Sequence, residues 1–300
     1  MSNPPRIFAV LNGKYKYASL HDLIKLPNVE LRLSLASGHP LDPYYLPLLA
    51  DRAVVFSGDD VKNMYTGADV VLSYTASQAG LASQLKHIRT AAEAGVKLFI
   101  PCEYTLEFAD CETSPHVEGK TLNVEDMATE AFPLVKLRRE AVALCNDLGM
   151  PCLQVHTGII PENFLVDEVR HPYIDESSSY GWHLKDRKVT ILGDGNAPIT
   201  FTPKEYYRAW FTHFLTTTRL SELRKMGNVY LAAETLTQNQ LIQMWEKKHG
   251  EKLQVTYVTE KELDEKENDV KAQRVHNYWT QWPAYIQVNH ASYAKKADEN

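Results

Sequence analysis

Short apolar runs alternate with helix-spaced stretches along the first half of the chain. Arg6–Leu11 (RIFAVL) is an apolar run that ends at Asn12-Gly13, and Leu20–Leu26 repeats its apolar residues at helical spacing. Val29–Ala36 (VELRLSLA) alternates like a strand, Ala53–Phe56 is a shorter run, and Asp69–Ser73 (DVVLS) is apolar and β-branched. Leu81, Leu85, Ile88 and Ala92 mark one face of a helix that stops at Ala94-Gly95. Val96–Ile100 is the next strand, closed by Pro101. A helix over Leu134–Leu148 follows, with a buried stripe of Leu134, Leu137, Ala141, Leu144, Cys145 and Leu148, and Cys152–Val155 begins another strand. Short apolar strands separated by helices predict a parallel sheet covered on both faces. Right-handed crossovers make that sheet doubly wound, so the fold class is α/β.

The pattern changes near His156. Pro172–Trp182 is rich in Ser, Tyr and Gly, and Val189–Thr200 reads as two strands around a Gly193-Asp194-Gly195-Asn196 turn. Lys204–Thr216 and Gln238–His249 read as helices, Glu260–Lys271 as a highly charged helix, and Lys295–Asn300 as a tail. The expected division is an α/β domain over residues 1–156 and a smaller α+β substrate lobe over 157–300.

Composition narrows the function classes. The net charge is −6, with no basic stripe, which argues against nucleic acid as a partner. No apolar run approaches the ~18 residues of a membrane span, and MSNPPRIFAV lacks the basic start and long apolar stretch of a secretory signal. A cytoplasmic protein handling a small metabolite is expected. The four cysteines, Cys102, Cys111, Cys145 and Cys152, form no CxxC pair and read as reduced thiols. His21, His39, His87, His116 and His183 show no ligand spacing, so no metal is expected. The absence of a G-x-S-x-G elbow removes an α/β-hydrolase.

Ligands of a doubly wound sheet lie beyond the carboxyl ends of its strands. That rule nominates Leu11–Lys16, Ala36–Gly38, Ser73–Ala76 and Pro101–Tyr104 as the rim of one crevice. Of the three glycines of a dinucleotide fingerprint, Asn12-Gly13-Lys14-Tyr15-Lys16-Tyr17 keeps only Gly13. Lys14 and Lys16 can supply charge to phosphate where backbone donors are lost, and Arg32 can meet a ribose phosphate. The alternative is that all three are solvated loop and edge-strand cations. No acid stands near Leu33 for a ribose hydroxyl, which favours NADP(H) over NAD.

Several segments together resemble the NmrA-like and isoflavone-reductase-like branch of the atypical short-chain dehydrogenases. They are GADVVLS (67–73), SQLKHIRTAAEAGVKLFIPCEY (83–104), RREAVALCNDLGMP (138–151), VTILGDGNAPITF (189–201) and LTQNQLIQMWEKKHG (236–250). The resemblance implies a Rossmann-like NADP(H) lobe, a C-terminal substrate lobe, and hydride transfer to small aromatic or unsaturated metabolites of specialised metabolism. It also implies that Ser73, Tyr74 and Thr75 back the nicotinamide, beside Pro101 and Cys102, where the family usually has Ser in place of Cys102. Some relatives in this family are redox-sensing regulators. The chain departs from the family in its glycine loop, in Ala36-Ser37 where a basic residue receives the 2′-phosphate, and in its catalytic lysine. Counted back from the Gly149-Met150-Pro151 that closes the helix, that lysine falls on Arg138.

Four residues are the catalytic candidates. Arg138 sits at the margin of its helix's buried stripe, and an arginine stays protonated and can hold an anionic oxygen. Lys136 titrates more readily but points further toward water. Glu103 can act as a base if desolvated, and His156 is a natural proton carrier. The bland readings are helix-surface cations, a loop cap and a structural histidine, with Cys102 an inert thiol. Tyr104 is a candidate aromatic wall, Glu162 and Asn163 candidate pocket residues, and 276–286 (HNYWTQWPAYI) either a roof over a flat substrate or core. The expected activity is NADPH-dependent reduction, with Arg138 polarising an oxygen and His156 or Glu103 moving a proton. The alternatives are a cofactor-independent isomerase, cyclase or dehydratase, and a regulator that senses dinucleotide or metabolite and binds a partner protein. A homodimer is a further expectation.

Overall fold

The run RIFAVL has apolar residues on both alternating faces, and a strand with two apolar faces belongs in the middle of a covered sheet. It lies there in the computed structural model, which describes residues 6–11, 20–34, 53–56, 60–75, 78–103, 116–117, 120–121, 133–158, 160, 182–196 and 198–258. The strands β1 (Arg6–Leu11), β2 (Val29–Ser34), β3 (Ala53–Phe56), β4 (Val70–Ser73) and β5 (Leu98–Ile100) form a parallel sheet in the order β3-β2-β1-β4-β5. Strand order reverses between β1 and β4, which is the crossover where doubly wound sheets bind ligands. Beside β5, Cys152 forms a parallel bridge with Phe99. The Leu153 N–H then donates to Phe99 O at 3.0 Å. Beyond it, β8 (Gln154–His156) leaves β5 and pairs with β12 (Asn228–Tyr230).

Each face of this sheet has its own helices. Ala9, Leu11, Val71 and Phe99 form one core with Met64 and Tyr65 of α2 (Val61–Tyr65), Ile88 and Ala91 of α3 (Gln78–Glu93), and Ala141, Leu144 and Cys145 of α4 (Pro133–Asp147). The alternate positions of β1 point the other way. From that side the Arg6 guanidinium donates to Leu215 O and Thr218 O, at the C-terminal end of α5 (Lys204–Thr217). A buried cation at the carbonyl end of a helix is favoured by the helix dipole. Tyr207, Phe211 and Leu215 are the buried residues of that helix. Arg208 of α5 also reaches Asp22 of α1 (Leu20–Leu23) at 3.2 Å. Phe8, Val10, Leu31 and Leu33 are fully buried, and each such side chain contributes about 1.5–3 kcal/mol.

Contacts divide the chain into two units. One comprises Met1–Tyr104, Pro133–His156 and Glu205–Val229, and the other Thr105–Phe132, Thr157–Lys204 and Tyr230–Asn300. One break falls at His156, but residues 205–229 return to the first unit. The apolar face of α5 and the Arg6 bonds account for that return.

In the second unit, β10 (Lys188–Leu192) lies between β14 (Gln254–Val258), parallel to it, and β9 (Trp182–His183), antiparallel to it. β11 (Pro198–Phe201) pairs antiparallel with β13 (Glu234–Thr237), and β6 (His116–Val117) with β7 (Lys120–Thr121). Two strands do flank Gly193–Asn196 as the sequence suggests, but each pairs with a different partner and not with the other. Past α6 (Leu220–Met226), the turn is instead held by Asn239 of α7 (Gln238–His249), whose Nδ2 donates to Asp194 O at 2.9 Å and Asn196 Oδ1 at 2.8 Å. α7 opens on a Thr237/Gln240 capping box.

Two helix stripes also differ from expectation. On α3, Leu81 and Ile88 are fully buried, but so are Gln84 and Ala91, while Leu85 and Ala92 are half-buried. On α4 the helix ends at Asp147, so Leu148 is 41% exposed and Met150 enters the core instead.

Candidate active site

Parallel strands finish on one edge, and the candidate residues that end β4 and β5 lie there. Leu11 ends β1 opposite Ser73, which ends β4. The Tyr74 N–H donates to Leu11 O at 3.0 Å, carrying the β1–β4 ladder one bond past the end of β4. Ser73 and Thr75 are buried, with their hydroxyl oxygens 3.0 Å apart, and Tyr74 between them is half-buried. At the end of β5, Pro101, Cys102 and Glu103 are all buried. The Glu103 N–H turns back to Pro101 O at 2.9 Å, and the Cys102 N–H donates to Gln84 Oε1 at 3.0 Å.

The electrostatics centre on Glu103. Its carboxyl is 2% exposed and Oε1 has no hydrogen-bond partner. Burial pushes its pKa up to about 7, against the opposing pull of the Arg138 guanidinium. A carboxyl so placed is poised to give or take a proton near neutrality. Burial likewise pushes the Cys102 thiol up to about 12, although Arg138 lowers it and Glu103 raises it. Cys102 is thus a poor thiolate. Cys152 is raised well above its ordinary value, first by a hydrogen bond with Cys145 and then by burial. Arg138 stands half-buried on α4, with its charge acting on both Cys102 and Glu103. Lys136 is half-buried on the same helix.

The remaining predicted residues divide clearly. His156 ends β8 fully buried, with Nε2 3.1 Å from Asn228 Oδ1. Arg32 is committed elsewhere: its guanidinium donates to Glu30 Oε1 at 2.8 Å, Met64 O at 3.2 Å and Thr66 O at 2.6 Å. Those bonds tie β2 to the end of α2, so a phosphate role for Arg32 requires that they break. Asn12, Gly13, Lys14, Lys16, Tyr104, Glu162, Asn163 and the 276–286 stretch lie outside the described residues. Gln84 was missed in the sequence, although a polar residue between Leu81 and Ile88 on an apolar stripe is a signal of a buried polar bond. Among the described residues, no group of three His, Cys, Asp or Glu side chains is placed to hold a metal ion, and no helix is long and apolar enough to cross a membrane.

No protein-family model matches the chain. Among curated proteins, it is 29% identical over 197 residues to an isoflavone reductase homolog of Arabidopsis thaliana, covering 65% of this chain and 56% of that protein. It is 31% identical over 196 residues to a phenylcoumaran benzylic ether reductase of Pyrus communis, covering 65% and 56%. Its homologues are isoflavone-reductase-like proteins. The matched stretch spans little more than half of these relatives' length, and the resemblance to isoflavone-reductase-like proteins is borne out. Solved structures support the fold. A leucoanthocyanidin reductase–NADPH complex from Vitis vinifera matches at TM-score 0.62 and 17% identity, over 98% of this chain and 89% of that one. An isoflavone reductase matches at TM-score 0.63 and 18% identity, over 94% and 90%. The fold is the Rossmann-like α/β fold of these isoflavone-reductase-like structures.

Proposed function

We propose that the chain is an NADPH-dependent reductase of a small aromatic or unsaturated metabolite, acting in the cytoplasm. The observation that carries this reading is the buried Glu103 carboxyl at the carboxyl edge of the sheet, under the charge of Arg138. The homologues' names, isoflavone reductase and phenylcoumaran benzylic ether reductase, support the substrate class. The NADPH in the leucoanthocyanidin reductase structure supports the cofactor.

The described residues fit a dinucleotide at one end. The β1–β4 crossover leaves the Ser73–Thr75 segment and the Pro101–Cys102 segment on the edge where a nicotinamide is expected. Asn12, Gly13, Lys14 and Lys16 are the candidates for the phosphates. When bound, NADPH supplies a hydride and leaves as NADP+. Arg138 stays cationic throughout, so its role is to hold the substrate oxygen as negative charge develops there. The protonated Glu103 carboxyl then delivers the proton that balances the hydride, and it recovers that proton from water after turnover. His156 is the second candidate for this transfer. Lys136 is the candidate for a supporting cation on the same helix. In this reading the first unit is the cofactor-binding part and the second unit the substrate lobe.

A second reading has two observations in its favour. Arg32 is already occupied by Glu30 and two carbonyls, and the glycine loop is reduced to Gly13. An acid–base enzyme without a nucleotide, such as an isomerase or dehydratase, needs only Glu103 and Arg138. Steady-state assays separate the two. Loss of NADPH absorbance with aromatic enones or benzylic ethers, slowed about 100-fold in Arg138→Met, is the result the reductase reading requires. Conversion of such a substrate without NADPH consumption supports the second reading. Nucleotide binding without any turnover supports a sensor that binds a partner protein.

A further inference from the structure

Gln84 is fully buried on α3, between Leu81 and Ile88, where an aliphatic side chain would complete the apolar stripe. An amide kept in such a place carries a desolvation cost unless it makes a bond that the structure needs. The need comes from the end of the sheet. The last β4–β5 pair is Leu72 with Ile100, so the residues that follow lie past the end of that ladder. Pro101 has no N–H. The Cys102 N–H is buried and must find a partner, and that partner is the Gln84 side-chain carbonyl at 3.0 Å. The Glu103 N–H closes back on Pro101 O at 2.9 Å.

We propose that Gln84 is the positioning residue of this rim: by holding the Cys102 N–H it fixes the Pro101–Glu103 turn that keeps the Glu103 carboxyl folded inward instead of turned out to water. The proposal rests on the reading of Glu103 as the proton-handling acid, but it concerns where the carboxyl is held and not what it does. The charged or titratable groups that act on Glu103 or its rim are Arg138 from α4, the Cys102 thiol beside it, and the Cys152 thiol from the segment paired with β5. None of these side chains is itself substituted in the Gln84 variants.

The test is the titration of the Glu103 carboxyl in the full chain, read by carbon-13 NMR of glutamate-labelled protein. Glu103→Gln assigns the resonance. In wild type the midpoint is expected near 7. In Gln84→Met, which keeps the volume and removes the acceptor, the midpoint falls toward the ordinary carboxylate value of about 4.3, and the Cys102 amide loses its protection from hydrogen exchange. In Gln84→Glu an acceptor remains, so the amide stays protected, and the added carboxylate raises the Glu103 midpoint above wild type. A folded Gln84→Met that keeps the wild-type midpoint overturns the proposal. If Gln84→Met does not fold, Gln84→Glu and the wild-type amide decide: a fast-exchanging Cys102 N–H, or a midpoint that drops in Gln84→Glu, overturns it equally. A midpoint that responds as described, with turnover untouched by Glu103→Gln, leaves the positioning role standing and removes the reductase assignment of Glu103.

Discussion

Arg138 and Glu103 oppose one another at the end of β5: burial favours the neutral carboxyl, and the guanidinium favours the charged one. Burial wins, and the balance near 7 makes this the most finely poised acid among the described residues. Removing the guanidinium shifts that balance further toward the neutral acid. Arg138→Met is therefore expected to raise the Glu103 midpoint above 7 and to lower kcat by about 100-fold, the loss typical of one oxyanion donor. Arg138→Lys keeps a charge without the fork and should restore the midpoint more fully than kcat. Carboxyl titration and steady-state kinetics check both.

The same burial is a stability liability at high pH. The folded-state pKa of Glu103 is raised above its unfolded value, so the unfolded chain loses its proton first and stability falls as pH rises from about 4.3 through about 7. Glu103→Gln should be more stable than wild type by roughly 1–3 kcal/mol at pH about 8.5 and gain nothing near pH 4. Urea denaturation at the two pH values reads the difference.

His87 carries the opposite dependence. Its Nδ1 lies 2.9 Å from the Tyr65 hydroxyl, and burial, with Lys86, lowers its pKa to about 4. The unfolded chain binds a proton below about 6.5 while the folded one does not, so stability is lost as pH falls from about 6.5 to about 4. His87→Gln should flatten this slope, by on the order of 1–3 kcal/mol across the interval, as denaturation midpoints against pH will show.

Two glycines differ in what surrounds them. Gly158 has φ +65°, and a Cβ there would lie 2.6 Å from the Thr200 backbone oxygen. Gly195 has φ +71°, and its Cβ would lie 2.6 Å from the Asn239 side chain. A side chain can move aside and a backbone carbonyl cannot without distorting its strand. Gly158→Ala is expected to cost more than Gly195→Ala, about 2–4 kcal/mol against about 1–2 kcal/mol. Asn239→Ala should relieve only the second, as a double-mutant cycle would measure.

Much of the fold was legible because local pattern and tertiary demand agree. Arg6–Leu11 and Ala53–Phe56 appear as strands with the bounds that their apolar runs suggest, the Gly95 stop sits just past α3, and Gln238–His249 is a helix over the expected residues. The failures are non-local. Nothing around Gly193–Asn196 shows that β10 will pair with β14 and β11 with β13, because those partners lie far along the chain. Leu148 fitted a helical stripe but follows the last helical turn, where Met150 reaches the core instead. In the site, the position of Arg138 followed from helix phase, and that of Glu103 from its place after a strand. The Gln84 bond was hidden, since it depends on β4 having ended before Cys102. The two carbonyl acceptors of Arg32 were hidden too, because Met64 and Thr66 are brought to it by a separate helix and its end.

The central claim is that this edge of the sheet receives NADPH, and calorimetric titration of the full chain with NADPH tests it most directly. Saturable binding within about 1 μM–1 mM, with NADH weaker, is the predicted result. No heat of binding at millimolar NADPH, from a chain whose Cys102 amide is protected and whose Glu103 titrates near 7, would contradict it.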